Sequence, residues 1–257
     1  VSFAARHRGL ALGGLSLVVV LAAWEGATRT GWIGPMFLSP PSLIATNGWT
    51  NLVEGRWTAD LALTLSCFGA ALTLAIVGGV LVGVAMGASK TAFHLLNPYL
   101  VALNALPKIV LCPLVMLWFG TGPGARVFLG SLMAAFPIVT ATVTGVQSLD
   151  RDFVLLARTY RASRWKILHA VVLPFLAPHA LSGIRVGVNY AMVGVLVVEL
   201  FSSSQGLGYR LNAYSQNFQL DLFFAIIALI IAIVLVLSRL MYYLEVRLGG
   251  WRNSAFH

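Results

Sequence analysis

Long apolar runs separated by short polar clusters set the pattern of this chain. The run from Leu61 to Ser89 carries no charged residue, and neither does the run from Val127 to Leu149. Neither run alternates strictly between apolar and polar residues, and both exceed the length of a strand. The pattern therefore predicts helices crossing a hydrocarbon layer, which need about 20 apolar residues each. Six spans follow, at 9–28, 60–87, 93–119, 126–148, 176–202 and 220–244. The third and fifth are interrupted by Lys108 and Arg185. A polar, basic loop at 150–175 separates the fourth from the fifth, and residues 1–257 read as one transmembrane domain with no soluble domain attached.

Composition strengthens the membrane reading. Hydrophobic residues make up 59% of the chain and charged residues 10%, against about 25% charged in soluble domains. Arg6 and Arg8 precede an apolar run, as in a signal peptide. Trp24 and Glu25 follow it without a small-residue cleavage pattern, so it reads as a retained first span. Cys67 and Cys112 both sit inside apolar runs and read as small buried hydrophobes rather than a disulfide. The net charge of +9 is interleaved with spans, which argues for orientation and contact with anionic membrane lipids rather than nucleic acid. With the N-terminus inside, eleven Lys and Arg fall on the inner side and four on the outer. Both termini are therefore expected in the cytoplasm.

Several polar positions carry two readings. Ser42, after Pro40-Pro41, could cap a short helix in the segment between the first two spans. The stripes Ala75, Gly79, Gly83, Gly87 and Gly183, Gly187, Ala191 let helix backbones approach closely, within this chain or against another subunit. Pro98, Pro107 and Pro113 break the third span repeatedly, and a helix so broken lines a cavity more readily than lipid. Lys108 follows Pro107, with Asn104 one turn earlier on the same face. It is either a pathway residue attracting an anion or a lysine paired internally or snorkelling. Arg185 either lines the path or reaches the inner interface. Glu199, near the outer end of its span, either lines the path or is simply solvated. No catalytic signature and no metal-ligand spacing occurs. Gly83 to Thr91 superficially suggests a phosphate loop, but Val84 and Ser89 stand where it needs glycine.

The segment from Leu155 to Pro174 holds four of the seventeen Lys and Arg. Asp150 and Asp152 suit the start of a helix there, and Ser163 suits the cap of a second short helix with Trp165 and Lys166. Its residues resemble the cytoplasmic loop of ABC-importer permeases, whose consensus is Glu-Ala-Ala-x-x-x-Gly followed by x-Leu-Pro. Ala157, Ala162-Ser163-Arg164-Trp165 and Val172-Leu173-Pro174 match, whereas Leu155, Leu156 and Arg161 replace Glu, Ala and Gly. Leu106-Pro107-Lys108, Pro113-Leu114, Leu117-Trp118-Phe119-Gly120, Phe136-Pro137, Ser182-Gly183-Ile184-Arg185, Val198-Glu199 and Ser204 to Tyr209 resemble the nitrate/sulfonate/taurine branch of these permeases.

The resemblance implies an all-α type I ABC-importer permease with six transmembrane helices in a bacterial inner membrane, not an enzyme. It implies a second permease copy, two ATP-binding subunits and a periplasmic or lipid-anchored solute-binding protein. ATP and Mg would sit on the ATPase partners and no cofactor on this chain. Ala157, Arg158, Thr159, Tyr160, Arg161, Ala162, Ser163, Arg164, Trp165 and Lys166 would form the coupling helix that meets the ATPase. Asn104, Pro107, Lys108, Arg185 and Glu199 are candidates for the path of a small anionic solute resembling a sulfonate, taurine or nitrate. The alternative is a secondary transporter or channel working without an ATPase.

Overall fold

Helices and the turns between them account for residues 3–34, 36–202 and 204–249, which are those described by the computed structural model. Side chains are described for these residues except 3–11, Arg151, Val154, Arg158, Arg164, Leu168, Ser202 and 248–249. In chain order the helices are α1 (Phe3–Arg29), α2 (Pro41–Val53), α3 (Thr58–Ala88), α4 (Lys90–Ala105), α5 (Cys112–Phe119), α6 (Pro123–Gln147), α7 (Arg151–Thr159), α8 (Arg164–Ile167), α9 (Leu173–Ser202), α10 (Leu207–Gln216) and α11 (Leu220–Gly249). A 3₁₀ turn, Lys108–Leu111, leads into α5, and a π turn, Leu168–Val172, leads into α9. Helices α1, α3, α6, α9 and α11 are long and apolar enough to cross a bilayer. Helix α4 and Lys108–Phe119, bent by 90° at the break, make a sixth candidate if the two pieces count as one broken span.

The chain divides into two compact units, residues 61–209 with 231–257 and residues 1–60 with 210–230. In the first, α6 is the centre, with α3 and α9 packed on different faces. A Cβ on Gly83 of α3 would lie 2.5 Å from Cβ of Thr142 in α6, and one on Gly194 of α9 would lie 2.6 Å from Cα of Gly130. Gly79 and Gly87 likewise face Ile138 and Val146, while Gly183 and Gly187 face Ala141 and Ile138. Both small-residue stripes are thus spent on packing within the chain. Without a hydrophobic drive between helices in lipid, such close approach and its dispersion contacts supply the cohesion. Ala71, Ala75, Ala134, Ile138, Val188, Ala191 and Val195 form the resulting core. A second cluster joins Cys112 and Val115 of α5 to Leu129 and Met133 of α6 and Val198 of α9. Both cysteines are free and buried.

In the other unit α2 starts at Pro41, whose missing N–H is no loss in a first turn. The expected cap by Ser42 is absent: Pro40 holds the N-cap position, with no side-chain capping bond. Ser42 is engaged elsewhere, because its hydroxyl and backbone N–H donate to the Glu25 carboxylate at 2.6 and 3.0 Å while Arg29 donates to the hydroxyl at 3.1 Å. Asn47 donates to Asp221 at 2.6 Å, Trp57 to the Tyr214 hydroxyl at 3.0 Å, and Arg210 pairs with Asp60 at 2.6 Å.

Candidate functional site

The break in the third span is local chemistry. Leu106, the residue before Pro107, is extended at φ −71° and ψ 134°, as steric contact with a following proline ring requires. Helix α4 therefore stops at Ala105 and the chain resumes at Lys108 in a new direction. Pro98 lies inside α4, and Pro113 sits in the first turn of α5, where proline is tolerated.

Lys108 is the first residue past the break. Its ammonium donates to the Asn104 side-chain oxygen at 3.1 Å and to the Asn104 carbonyl at 3.4 Å, and it lies 4.5 Å from the centre of the Phe136 ring. No carboxylate pairs with it among the described residues. The same side chain lines a cavity of about 360 Å³ with Asn104, Met133, Phe136, Pro137, Thr140, Ala141, Ser182, Gly183, Val186 and Tyr190. Neutral acceptors and a ring face hold the ammonium without pairing it to an opposite charge. A second cavity, about 310 Å³, shares Asn104, Phe136 and Thr140 with the first and extends along α4 and α6 to Asn97, Thr144 and Gln147. The two form one groove. Phe136, Thr140 and Tyr190 belong to it although no spacing in the sequence singles them out.

Arg185 and Glu199 lie elsewhere. Arg185 pairs with Glu245 of α11 at 3.1 Å and stands 5.8 Å from the Tyr242 ring, and it does not line the groove. Glu199, which by position either lines the path or is solvated, is 1% exposed. It accepts hydrogen bonds from the Thr64 hydroxyl at 2.9 and 3.0 Å and from the Gly208 N–H at 3.0 Å. Thr64 in turn accepts from the Leu207 N–H at 2.9 Å. The carboxylate thus sits at the N-terminus of α10, where unpaired N–H groups and the helix dipole favour a negative charge. Gly206, at φ +110°, packs directly on it, and an added Cβ would strike the carboxylate. Arg126, 4% exposed, donates to the Gln205 carbonyl of the same turn at 3.3 Å. This cluster fixes the turn between α9 and α10 rather than lining the groove.

The loop between α6 and α9 folds as two short helices. Ser163 accepts from the Lys166 N–H at 3.3 Å and so caps α8. Leu155, Leu156, Tyr160 and Trp165 are all more than half exposed, so the loop presents apolar and aromatic side chains without covering them. The Trp165 and His169 rings lie against each other, 4.0 Å between centroids with their planes tilted by 48°. The side chains of Arg158 and Arg164, two of the candidate docking residues, lie outside those described. Arg161 adopts φ +53°, the left-handed region that favours glycine. That is the position at which the loop consensus places glycine, so the backbone keeps a geometry its side chain disfavours.

The family described as binding-protein-dependent transport system inner membrane component matches residues 75–250. The chain is 29% identical over 244 residues to the taurine transport system permease protein TauC of Escherichia coli K12, covering 93% of this chain and 89% of that protein. It is 32% identical to the riboflavin transport system permease protein RibX of Chloroflexus aurantiacus, covering 93% and 90%. It is 30% identical to the putative aliphatic sulfonates transport permease protein SsuC of Escherichia coli K12, covering 93% and 91%. Among solved structures, a chain of the inward-facing MetNI methionine ABC transporter superposes with a TM-score of 0.61 at 17% identity, covering 77% of this chain and 94% of that one. An amino acid ABC transporter gives 0.57 at 16% identity, covering 81% and 97%. The fold is the all-helical permease fold of ABC importers, and the chain belongs to the family of binding-protein-dependent transport system inner membrane components, as a multi-pass ABC-importer permease subunit.

Proposed function

We propose that this permease forms the membrane path for a small anionic organic solute, moved by ATP hydrolysis on separate partner subunits. The observation that carries the reading is the broken third span, which sets an ammonium with no carboxylate partner among the described residues, Lys108, on the wall of a largely apolar groove. Burying a lysine at membrane depth costs several kcal/mol, about 3 on insertion scales, unless water or a ligand meets it. Asn104 and Pro107 hold it there. The taurine and sulfonate transport proteins among the relatives support an anionic solute; the riboflavin one marks the alternative of an uncharged cargo.

The α7–α8 loop, residues Ala157 to Lys166, is the coupling element. Its exposed Tyr160 and Trp165, together with the left-handed turn at Arg161, give it the shape of a knob for a groove on an ATPase. The groove and the loop follow one another through α6 and α9, so closure of two ATPases rotates the loop and re-aims the path. A second copy of the permease closes the open side of the groove. A solute-binding protein delivers cargo outside, both termini face the cytoplasm, and ATP and Mg reside on the ATPases. Residues 1–257 act as one transmembrane domain.

The test is uptake and ATP hydrolysis by the full importer in proteoliposomes. Trp165→Glu is expected to abolish transport-coupled hydrolysis, and Lys108→Ala to cut uptake of a sulfonate at least tenfold while assembly persists. Normal coupled hydrolysis in the first variant would remove the docking role. Unchanged sulfonate uptake in the second would remove the substrate role of Lys108.

A further inference from the structure

The groove does not end where the second cavity ends. A third cavity, about 510 Å³, shares Met86, Phe93 and Gln147 with the second and is lined by Lys90 and His94 at the first turns of α4. Read along α4, positions 90, 94, 97, 101 and 104 all line the second or third cavity, which is the three- and four-residue spacing of a single helix face, and Lys108 follows just past the break. On α6 the facing positions are 140, 144 and 147, with the same spacing. The track therefore carries Lys108 at one end and Lys90 and His94 at the other, with a few amides and hydroxyls set among apolar side chains such as Leu100, Val101 and Val143 between. No Asp or Glu lines any of the three cavities among the described residues.

The middle of the track holds an anion weakly. Thr140 and Thr144 spend their hydroxyl protons on the helix carbonyls of Phe136 and Thr140, at 2.9 and 3.0 Å. Only the amides of Asn97, Asn104 and Gln147 offer N–H groups there. Strong sites at the ends and a weak stretch between them meet the requirement of a conducting path, in which a solute must bind well enough to enter and loosely enough to leave. Lys90 is exposed and has no ion pair among the described residues, so its charge is available.

We propose that Lys90 and His94 form a second anion station, where a carboxylate or sulfonate solute pauses after leaving Lys108. The station rests on the reading of the Lys108 groove as the solute path. The experiment places single reporter cysteines at Gln147, near the new station, and at Ser182, near Lys108, in the full importer. Each is reacted with an anionic sulfonatoethyl thiosulfonate and with its trimethylammonioethyl counterpart, and the importer without a new cysteine is the blank, since native Cys67 and Cys112 are buried. Gln147→Cys is expected to favour the anionic reagent, and Lys90→Ala with His94→Ala to lower that preference at least fivefold, with Lys90→Arg retaining it. Because Lys90 and His94 are exposed, these changes leave the fold intact. A preference at Gln147→Cys that ignores Lys90 and His94 overturns the station. If Ser182→Cys ignores Lys108→Ala while Gln147→Cys still responds to Lys90 and His94, the station stands and the role given to Lys108 falls.

Discussion

Replacing Glu199 by alanine tests whether a buried carboxylate pins the turn between α9 and α10. Among the described residues, the substitution removes the acceptor of at least two donors, the Thr64 hydroxyl and the Gly208 N–H. Thr64 is 0% exposed, so water does not replace the lost acceptor, and its oxygen is held by the bond it receives from the Leu207 N–H. Each buried donor left unsatisfied costs about 1–3 kcal/mol, so the variant should lose roughly 2–6 kcal/mol. Glu199→Gln keeps one acceptor oxygen and should lose about half of that. Thr64→Val removes the other side of the same bond. In a double-mutant cycle the two sites should couple by about 1–3 kcal/mol, because neighbours in one network are not additive. The assay is the unfolding midpoint in nanodiscs, with hydrogen exchange at residues 204–210 reporting whether the turn opens before the rest. Glu199→Ala melting with the native protein, or additivity with Thr64→Val within about 0.5 kcal/mol, would refute the reasoning.

Gly83→Leu forces a side chain into the contact with Thr142 and should cost at least about 1–3 kcal/mol of overpacking, seen as loss of folded protein in fluorescence-detected gel filtration. Arg161→Gly relieves a left-handed non-glycine residue and should raise the melting midpoint by the equivalent of about 1 kcal/mol, while leaving coupled ATP hydrolysis in place. Arg185→Ala breaks a pair whose arginine side chain is 38% exposed, so solvent screening limits the loss to about 1 kcal/mol or less, and uptake should stay within about twofold because the residue is off the groove. Pro107→Ala lifts the steric bar on a helical Leu106; uptake should fall while membrane levels hold, and unchanged uptake would show that the bend persists without the proline.

Much of the fold was legible because apolar runs of membrane length have few alternatives. Leu61 to Ala88 lies within α3 and Val127 to Gln147 within α6, so each apolar run ends within two residues of its helix. The break at Pro107 was legible as well, since one ring removes one N–H and restricts one neighbour, but its 90° angle depends on where α5 packs. Asn104 and Lys108 meet as their spacing implies. What escaped was everything set by distant partners. Glu199, from its place near a span end, either lines the path or is solvated, yet it is buried by Thr64, 135 residues away. Ser42 has the composition of a cap but is taken by Glu25, 17 residues back. The partner of Arg185 sits on another helix, and nothing local in the sequence points to Glu245. The glycine stripes announced close packing, while only the structure shows that α6 is their target.

The seam of small residues around α6 divides what selection can alter. At Gly83 and Gly194 the neighbouring helix leaves no room for even one added carbon, so almost any change there is paid for in folding before it reaches cargo. The surface facing the groove is under no such constraint: Asn97, Asn104, Thr140, Val186 and Tyr190 border open space. Substitutions that alter the cargo of the proposed path are therefore expected on the groove face rather than in the seam. A search for cargo determinants should begin with those positions and treat the seam as the inherited chassis.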